Sequence, residues 1–207
     1  MGRRKTYDRE DVTGRAMLLF WERGYHATST RDLTEAMGIN PGALYAEFGS
    51  KEGLYLETVK RYEATVVPGH FASLEAPGAS LEQIRAVLTF MGGIGSYAGS
   101  HYGCLLCNAG IELAPTLEQS EASTARFLNR LTLAFGHALG NARDAGQLLD
   151  DAPVDELARF FPTVLMGIFV LARARIDAAV MRAAADQALV RLLSVTRPGP
   201  GGPAPVL

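Results

Sequence analysis

The side chains with the strongest intrinsic reactivity are the thiols of Cys104 and Cys107, which lie three positions apart and follow His101. Gly103 precedes a predicted helix, so Cys104 should lie at a helix N-terminus, where the thiolate is favoured. Three interpretations are open: both thiols are buried and structural, Cys104 senses electrophiles or oxidants, or the three side chains bind a metal. The spacing lacks the second ligand pair of a structural zinc site, so we predict no metal and no cofactor.

A second chemistry-bearing group is the basic start of the chain, where Arg3, Arg4 and Lys5 stand without an acidic neighbour. Such a cluster could enter a DNA groove as an arm, or it could be a solvated terminus. The charge of the remaining chain gives little support, because residues 1–60 hold nine basic and nine acidic residues and the whole chain carries −2. DNA binding is therefore not predicted by charge alone.

The stretch STRDLTEAMGINPGALYAEFGSK, residues 29–51, has the signals of two helices joined by a tight turn. Ser29 is a suitable N-cap, and Asp32 lies at the third helical position, as in a capping box. Gly38 can adopt the left-handed conformation that ends a helix.

Asn40 then caps a second helix and Pro41 fills its first position, where the missing N–H costs nothing. This helix, about residues 41–48, is too short to be stable alone. A short helix held by a turn against a partner is suited to insertion into the DNA major groove.

Fourteen residues between positions 20 and 52 form a recognisable pattern in order and spacing: Phe20, Gly24, Tyr25, Thr28, Arg31, Asp32, Leu33, Gly38, Leu44, Tyr45, Phe48, Ser50, Lys51 and Glu52. Through this pattern the N-terminal part of the chain, about residues 7–60, resembles the N-terminal domain of TetR-type transcriptional repressors. The remaining two thirds resembles the family only in length and helical character, apart from a weak likeness at HYGCLLCNAGIELAP.

Helical periodicity dominates the chain and strand signals are nearly absent, so we predict an all-α fold of about nine helices. The domains expected are a three-helix helix-turn-helix head over residues 1–50, a helical effector-binding and dimerisation domain over 51–196, and a disordered tail over 197–207. The fourth helix should run from Ser50 to about Val67 and connect the two domains. The fifth should span about residues 81–97.

Two features of the C-terminal domain leave alternatives open. Gly92, Gly93 and Gly95 weaken the fifth helix, which indicates either a frayed end or room for a ligand. The last two helices are rich in small residues, with Val164, Gly167, Ile168 and Leu171 on the first and Ala178, Ala179, Ala183, Ala184, Ala185 and Ala188 on the second. Such faces pack within one chain or form a four-helix dimer interface; we favour the interface, which the resemblance also implies.

Two related recognition helices would fit successive major grooves of a roughly palindromic operator. The resemblance implies that Tyr45 and Lys51 hold phosphates, and Thr28 and Ser29 lie at a helix N-terminus that favours a phosphate. Arg31 could reach the backbone or a base. Base contacts are predicted for Asn40, Pro41, Gly42, Ala43 and Ala46, with Asn40 suited to adenine and Ala43 to a thymine methyl.

Glu47 departs from the family pattern, which commonly has an aromatic residue or histidine there. An acid near phosphates is unfavourable unless it accepts from a cytosine amine or pairs with an arginine that contacts a base. The alternative is that Glu47 points to solvent.

A regulator of this kind needs a ligand that changes its affinity for DNA. A mostly apolar pocket enclosed by helices five to eight would suit a small effector. Each candidate could equally be ordinary core. The predicted lining residues are Phe90, Tyr97, Tyr102, Cys104, Cys107, Asn108, Ile111, Phe135 and Phe169.

No signal peptide or membrane-spanning segment is visible, and two cysteines make no disulfide framework, so we expect a cytoplasmic protein. We predict a ligand-responsive homodimeric repressor, not an enzyme, that binds double-stranded operator DNA and is released by a small apolar or electrophilic effector. Two alternatives remain: a thiol-based redox protein using Cys104 and Cys107, for which the usual preceding strand is missing, and a helical interaction module that no longer binds DNA.

Overall fold

The fold is that of a computed structural model, which describes residues 7–97, 99–114 and 116–198. Arg3, Arg4, Lys5 and residues 199–207 of the predicted tail lie outside these ranges. The described residues form ten α-helices and two short 3-10 turns, with no strand beyond one isolated bridge between Leu148 and Thr196. None of these helices is long and apolar enough to cross a membrane. The helices are α1 Arg9–Arg23, α2 Thr30–Met37, α3 Pro41–Phe48, α4 Lys51–Thr65, α5 Val67–Glu75, α6 Leu81–Gly93, α7 Leu105–Leu113, α8 Glu118–Asp144, α9 Val154–Arg173 and α10 Ala178–Ser194.

The all-α class is thus confirmed, with one helix more than predicted. The additional helix is α5, which begins just before Pro68 and Gly69, the pair at which we expected the chain to stop being helical. Proline is tolerated in the first turn because its missing N–H would have no helical partner there. The Pro-Gly pair therefore begins a helix instead of ending one.

The described residues divide into two compact units. Unit 1 contains residues 7–69 and those from 102 to 125, and unit 2 contains those from 70 to 101 and from 126 to 198. Unit 1 therefore combines the predicted head with α4 and α7. The motif-based domain boundary at residue 50 stays a prediction.

Unit 1 is built around α1, which packs against α2 and α4. Asp8 caps α1 by accepting from the amides of Glu10 and Asp11. The helices bury large apolar side chains between them, and an edge-to-face contact joins the rings of Phe20 and Tyr55 at 5.0 Å. Burying such side chains stabilises the unit; the buried set includes Val12, Phe20, Leu33, Met37, Leu44, Leu54 and Tyr55.

In unit 2, the glycines near the end of α6 allow close approach of α10. A Cβ at Gly92 would lie 3.0 Å from the Cβ of Ala185, and one at Gly95 would lie 2.8 Å from that of Ala178. These contacts are tighter than side chains normally make, so glycine is needed for the packing. The sequence did not indicate this packing. The helix ends at Gly93, earlier than predicted, and continues as a 3-10 turn, which agrees with the interpretation of these glycines as a frayed helix end.

The small residues of α9 and α10 face in several directions. Ala185 and Ala188 are buried within the unit, as is Ile168 of α9. Gly167 is exposed, and the exposed positions of α9 recur at helical spacing as Phe160, Thr163, Gly167 and Val170. The face of α9 that is available to a partner therefore includes Thr163 and Val170, where the predicted face had their neighbours Val164 and Leu171.

Candidate nucleic-acid interface

The two helices of the predicted motif are α2 and α3, and both have the N-caps that the sequence predicts. The hydroxyl of Ser29 accepts from the Asp32 amide at 3.1 Å, and the Asp32 carboxylate accepts from the Ser29 amide at 2.8 Å. The Ser29 hydroxyl also donates to this carboxylate. This hydrogen bond is the main cause of the lowered pKa of Asp32, and the bond from the Ser29 amide lowers it further. This reciprocal capping box fixes where α2 begins.

The turn between the helices has the geometry that its sequence predicts. Gly38 ends α2 with φ 68° and ψ 30°, the left-handed region that glycine enters without steric cost. The side-chain oxygen of Asn40 accepts from the Ala43 amide at 2.8 Å, and Pro41 occupies the first turn of α3. The two helices are therefore locked in a defined relation by their own termini.

α3 buries one side and presents the other to solvent. Leu44 and Phe48 are buried, whereas the ring of Tyr45 is 51% exposed. Pro41, Gly42 and Ala46 are also exposed. The outer face thus combines small side chains, which permit close approach to base edges, with a single phenol hydroxyl.

The predicted phosphate contacts at the start of α2 are only partly available. Thr28 is fully buried, its hydroxyl donates to the Gly24 carbonyl at 2.6 Å, and its amide donates to the Tyr25 carbonyl. A phosphate contact from this side chain is therefore not supported. Ser29 is exposed but is engaged in the capping box, and Arg31 is highly exposed and paired with Glu35 at 3.0 Å.

Lys51 begins α4 and its ammonium lies over the ring of Tyr25, 4.2 Å from the centroid. Burial lowers the pKa of this lysine, and the negative charge of Glu112 partly opposes that shift. The cation–π contact orients the side chain before any ligand binds.

Glu47 has a setting that sequence reasoning did not foresee. Its carboxylate accepts from Arg9 Nε at 3.0 Å and from the Tyr7 hydroxyl at 3.3 Å, and its side chain is only 10% exposed. Glu47 therefore does not point to solvent, and Arg9 is an arginine partner that was not among the predicted base-contacting residues.

Glu112 of α7 was also missed, although it anchors the turn before α2. Its carboxylate accepts from the Tyr25 amide at 2.7 Å, and its backbone carbonyl lies 3.3 Å from His26 Nε2. A Cβ at Gly24 would stand 2.7 Å from the same carboxylate. The glycine in this turn was a weak signal of a close approach, but Glu112 lies 87 positions beyond Tyr25 in the chain.

The predicted effector-lining residues differ widely in exposure. Tyr97 and Ile111 are 58% and 62% exposed, whereas Asn108 and Phe135 are buried. Asn108 donates from its side-chain amide to the Tyr102 carbonyl at 2.9 Å, and Phe90 stands 5.7 Å from the ring of Tyr97. Five of the nine (Tyr102, Cys104, Cys107, Asn108 and Ile111) belong to unit 1, and Phe90, Tyr97, Phe135 and Phe169 belong to unit 2.

Cys104 and Cys107 are both buried and both in the thiol form, and Cys104 is the N-cap of α7 as predicted. Burial alone would raise the pKa of Cys104, but hydrogen bonds from Cys107, Tyr62 and the Leu106 amide lower it. The same pairing raises the pKa of Cys107. No group of three or more side chains able to hold a metal occurs in the described part of the chain.

The exposed, doubly capped α3 held against α2 defines a helix-turn-helix DNA-binding protein. Family comparison agrees: residues 14–58 match the model described as "Bacterial regulatory proteins, tetR family", and residues 80–188 match "Tetracyclin repressor-like, C-terminal domain". The chain belongs to the TetR family of transcriptional regulators.

Individual relatives agree along most of the chain. The "Uncharacterized HTH-type transcriptional regulator YezE" of Bacillus subtilis (strain 168) is 32% identical in an alignment that covers 86% of this chain and 92% of YezE. The "HTH-type transcriptional repressor ComR" of Escherichia coli (strain K12) is 32% identical in an alignment that covers 83% of this chain and 82% of ComR. A solved structure of a cysteine mutant of the TetR family regulator CifR, complexed with 26bp double-strand operator DNA, has 32% identity and a TM-score of 0.78, covering 91% of this chain and 98% of that one.

As a member of this family, the protein is a DNA-binding transcriptional regulator. Its relatives are named as transcriptional regulators and not as enzymes.

Proposed function

We propose that this regulator represses transcription by occluding a palindromic operator, with the outer face of α3 in the major groove of each half-site. The observation that carries the proposal is the exposed face of α3, where small side chains surround Tyr45 at the end of a doubly capped turn. Tyr45 and Lys51 would hold phosphates, and Asn40 and Ala43 would contact base edges. Arg31 would leave Glu35 to reach the DNA.

A dimer would form through α9 and α10, and an effector bound among the C-terminal helices would favour the arrangement that does not fit DNA. No catalytic role is proposed, and a regulator of chromosomal operators would act in the cytoplasm. The effector class proposed here includes thiol-reactive compounds, because hydrogen bonds lower the pKa of the Cys104 thiol.

The proposal is tested by fluorescence anisotropy with labelled DNA from the region flanking the gene, at two salt concentrations. We expect tight, competitor-resistant binding that weakens steeply with salt, since log K falls by about 0.9 per phosphate contact for each unit of log salt. Weak binding to that region would be followed by selection from random DNA. If no sequence is selected, the proposed function is wrong and the interaction-module alternative gains support.

A further inference from the structure

The residue in the head that departs from the family pattern, Glu47, occupies the inner side of α3. In a helix, two positions correspond to about 200° of rotation, so Glu47 lies roughly 160° around the axis from Tyr45. Tyr45 is half exposed, whereas the Glu47 side chain is 10% exposed and is followed by buried Phe48. A carboxylate directed away from the outer face is poorly placed to contact a base.

Glu47 is instead bonded to a cation that connects three helices. Arg9 of α1 donates from Nε to Glu47 on α3 at 3.0 Å and from Nη2 to Glu57 on α4 at 3.1 Å. Its guanidinium also lies over the ring of Phe48, 5.2 Å from the centroid. One planar donor group therefore fixes α3 and α4 relative to α1, with a geometry that a point charge would not impose.

The short α3 needs such a constraint. It has eight residues, and only Leu44 and Phe48 of them are buried. The capped turn fixes α3 relative to α2, and the apolar contacts of Leu44 and Phe48 hold it against the unit. Hydrogen bonds to the Glu47 carboxylate from Arg9 and Tyr7 add a second directional restraint, which connects the inner side of α3 to α1.

We propose that Glu47 is a positioning residue for operator recognition, which holds the outer face of α3 at its binding angle through Arg9 and reads no base itself. This inference rests on the proposed function. Base contacts depend on the helix angle more strongly than phosphate contacts do, because base edges must be met by fixed donors and acceptors. Loss of the restraint should therefore lower discrimination between sequences and spare general affinity for DNA.

The test compares Glu47→Gln with the matched variant Glu10→Gln. Glu10 on α1 pairs with Arg61 on α4, so its substitution removes an equal charge and an inter-helix ion pair without touching α3. Affinities are measured for the operator that the wild-type chain selects from random DNA and for a scrambled duplex. Amide hydrogen exchange across α3 is measured in the DNA-free proteins, after circular dichroism has shown that both variants are folded.

We expect Glu47→Gln to lower the ratio of operator to scrambled affinity by about tenfold, which corresponds to ~1.4 kcal/mol. Scrambled binding should be unchanged or tighter, α3 amides should exchange faster, and Glu10→Gln should show neither the lost discrimination nor the faster exchange. Arg9→Gln should reproduce the loss, and the Arg9→Gln, Glu47→Gln double variant should add little to either single variant.

Three results would overturn the inference. A loss confined to one base pair of the half-site would make Glu47 a direct reader, and an equal change for all DNA would make it a general electrostatic contribution. If the α3 amides of Glu47→Gln exchange hydrogen at the wild-type rate, Glu47 does not position α3, whatever the DNA affinities are. If the wild-type chain selects no operator, the proposed function fails, and the exchange measurement still decides the role of Glu47.

Discussion

At the scale of single residues, the head holds several groups in place before DNA is present. Lys51 lies over Tyr25, Arg31 pairs with Glu35, and Glu47 is held by Arg9. Lys51 and Arg31 are both cations in the first turn of a helix, but the charge of Arg31 is paired with Glu35, whereas Lys51 is oriented by the face of an aromatic ring. We therefore regard it as the best candidate for a phosphate contact in the described head.

Lys51→Ala should weaken binding to operator and scrambled DNA alike and reduce the slope of log K against log salt by about one. Lys51→Arg should largely retain the DNA affinity and the salt slope of the wild type. Because burial lowers the pKa of Lys51, wild-type affinity should start to fall at a lower pH than that of Lys51→Arg as the solution becomes alkaline. Anisotropy titrations across pH and salt measure all three effects; an unaltered salt slope in Lys51→Ala would rule out the contact.

The buried thiols give a second prediction at this scale. A small oxidant such as hydrogen peroxide should release DNA from the wild-type protein, because Cys104 is the more acidic thiol of the pair. A bulky thiol reagent should react slowly, because Cys104 is 1% exposed. Cys104→Ser should bind DNA normally and ignore the oxidant. An oxidant response that persists in Cys104→Ser would discard the sensor hypothesis, and no response in the wild type would make the thiols structural.

At the scale of secondary-structure elements, α7 contacts the α1–α2 turn, and local sequence did not reveal this contact. Gly24 has φ 88° and ψ 167°, a region that side chains rarely enter, and it stands against Glu112. Two separate physical reasons therefore require glycine there. The turn positions α2, so the contact ties α7 to the helix-turn-helix within unit 1.

Gly24→Ala should lower the free energy of unfolding by clearly more than Gly38→Ala. Gly38 also has positive φ, but an added Cβ there would meet only Arg15, at 4.0 Å. Its substitution should cost about 1–2 kcal/mol, the usual penalty for a left-handed residue with a side chain. Urea unfolding of the two variants measures the difference. Equal losses would show that the contact with Glu112 contributes nothing beyond backbone strain.

At the scale of the whole molecule, the C-terminal helices carry apolar surface that a folded single chain leaves in water. Phe160 and Val170 of α9 and Val180, Val190 and Leu193 of α10 are each at least 40% exposed. Exposed large apolar side chains on two helices that pack together are typical of an interaction site. Between the α9 pair, Gly167 provides a point where two helices could approach closely.

Gly167→Arg should shift the protein toward monomer in sedimentation velocity and weaken operator binding, because two half-sites must be bound together. Ala86→Glu, at an exposed position of α6 in the same unit, is the matched control and should leave both unchanged. Dimers that persist in Gly167→Arg at the same concentration would place the interface elsewhere.

The sequence by itself determined the features that depend on neighbours along the chain. Caps at Ser29, Asn40 and Ser50 and the left-handed Gly38 act within three or four residues, so their residue types predict the helix boundaries around the recognition motif. The family pattern at residues 7–60 rests on the same local signals.

Only the tertiary structure decided which distant residues meet. Glu112 reaches the turn at Gly24, Arg9 joins Glu47 to Glu57, and Ala185 fills the space left by Gly92. The residues of each contact are separated by tens of positions. Gly24, Gly92 and Glu47 are unusual at their positions, but their residue types do not indicate which distant residue they meet. Such contacts depend on how the helices pack, which the local propensities that set helix boundaries leave undetermined.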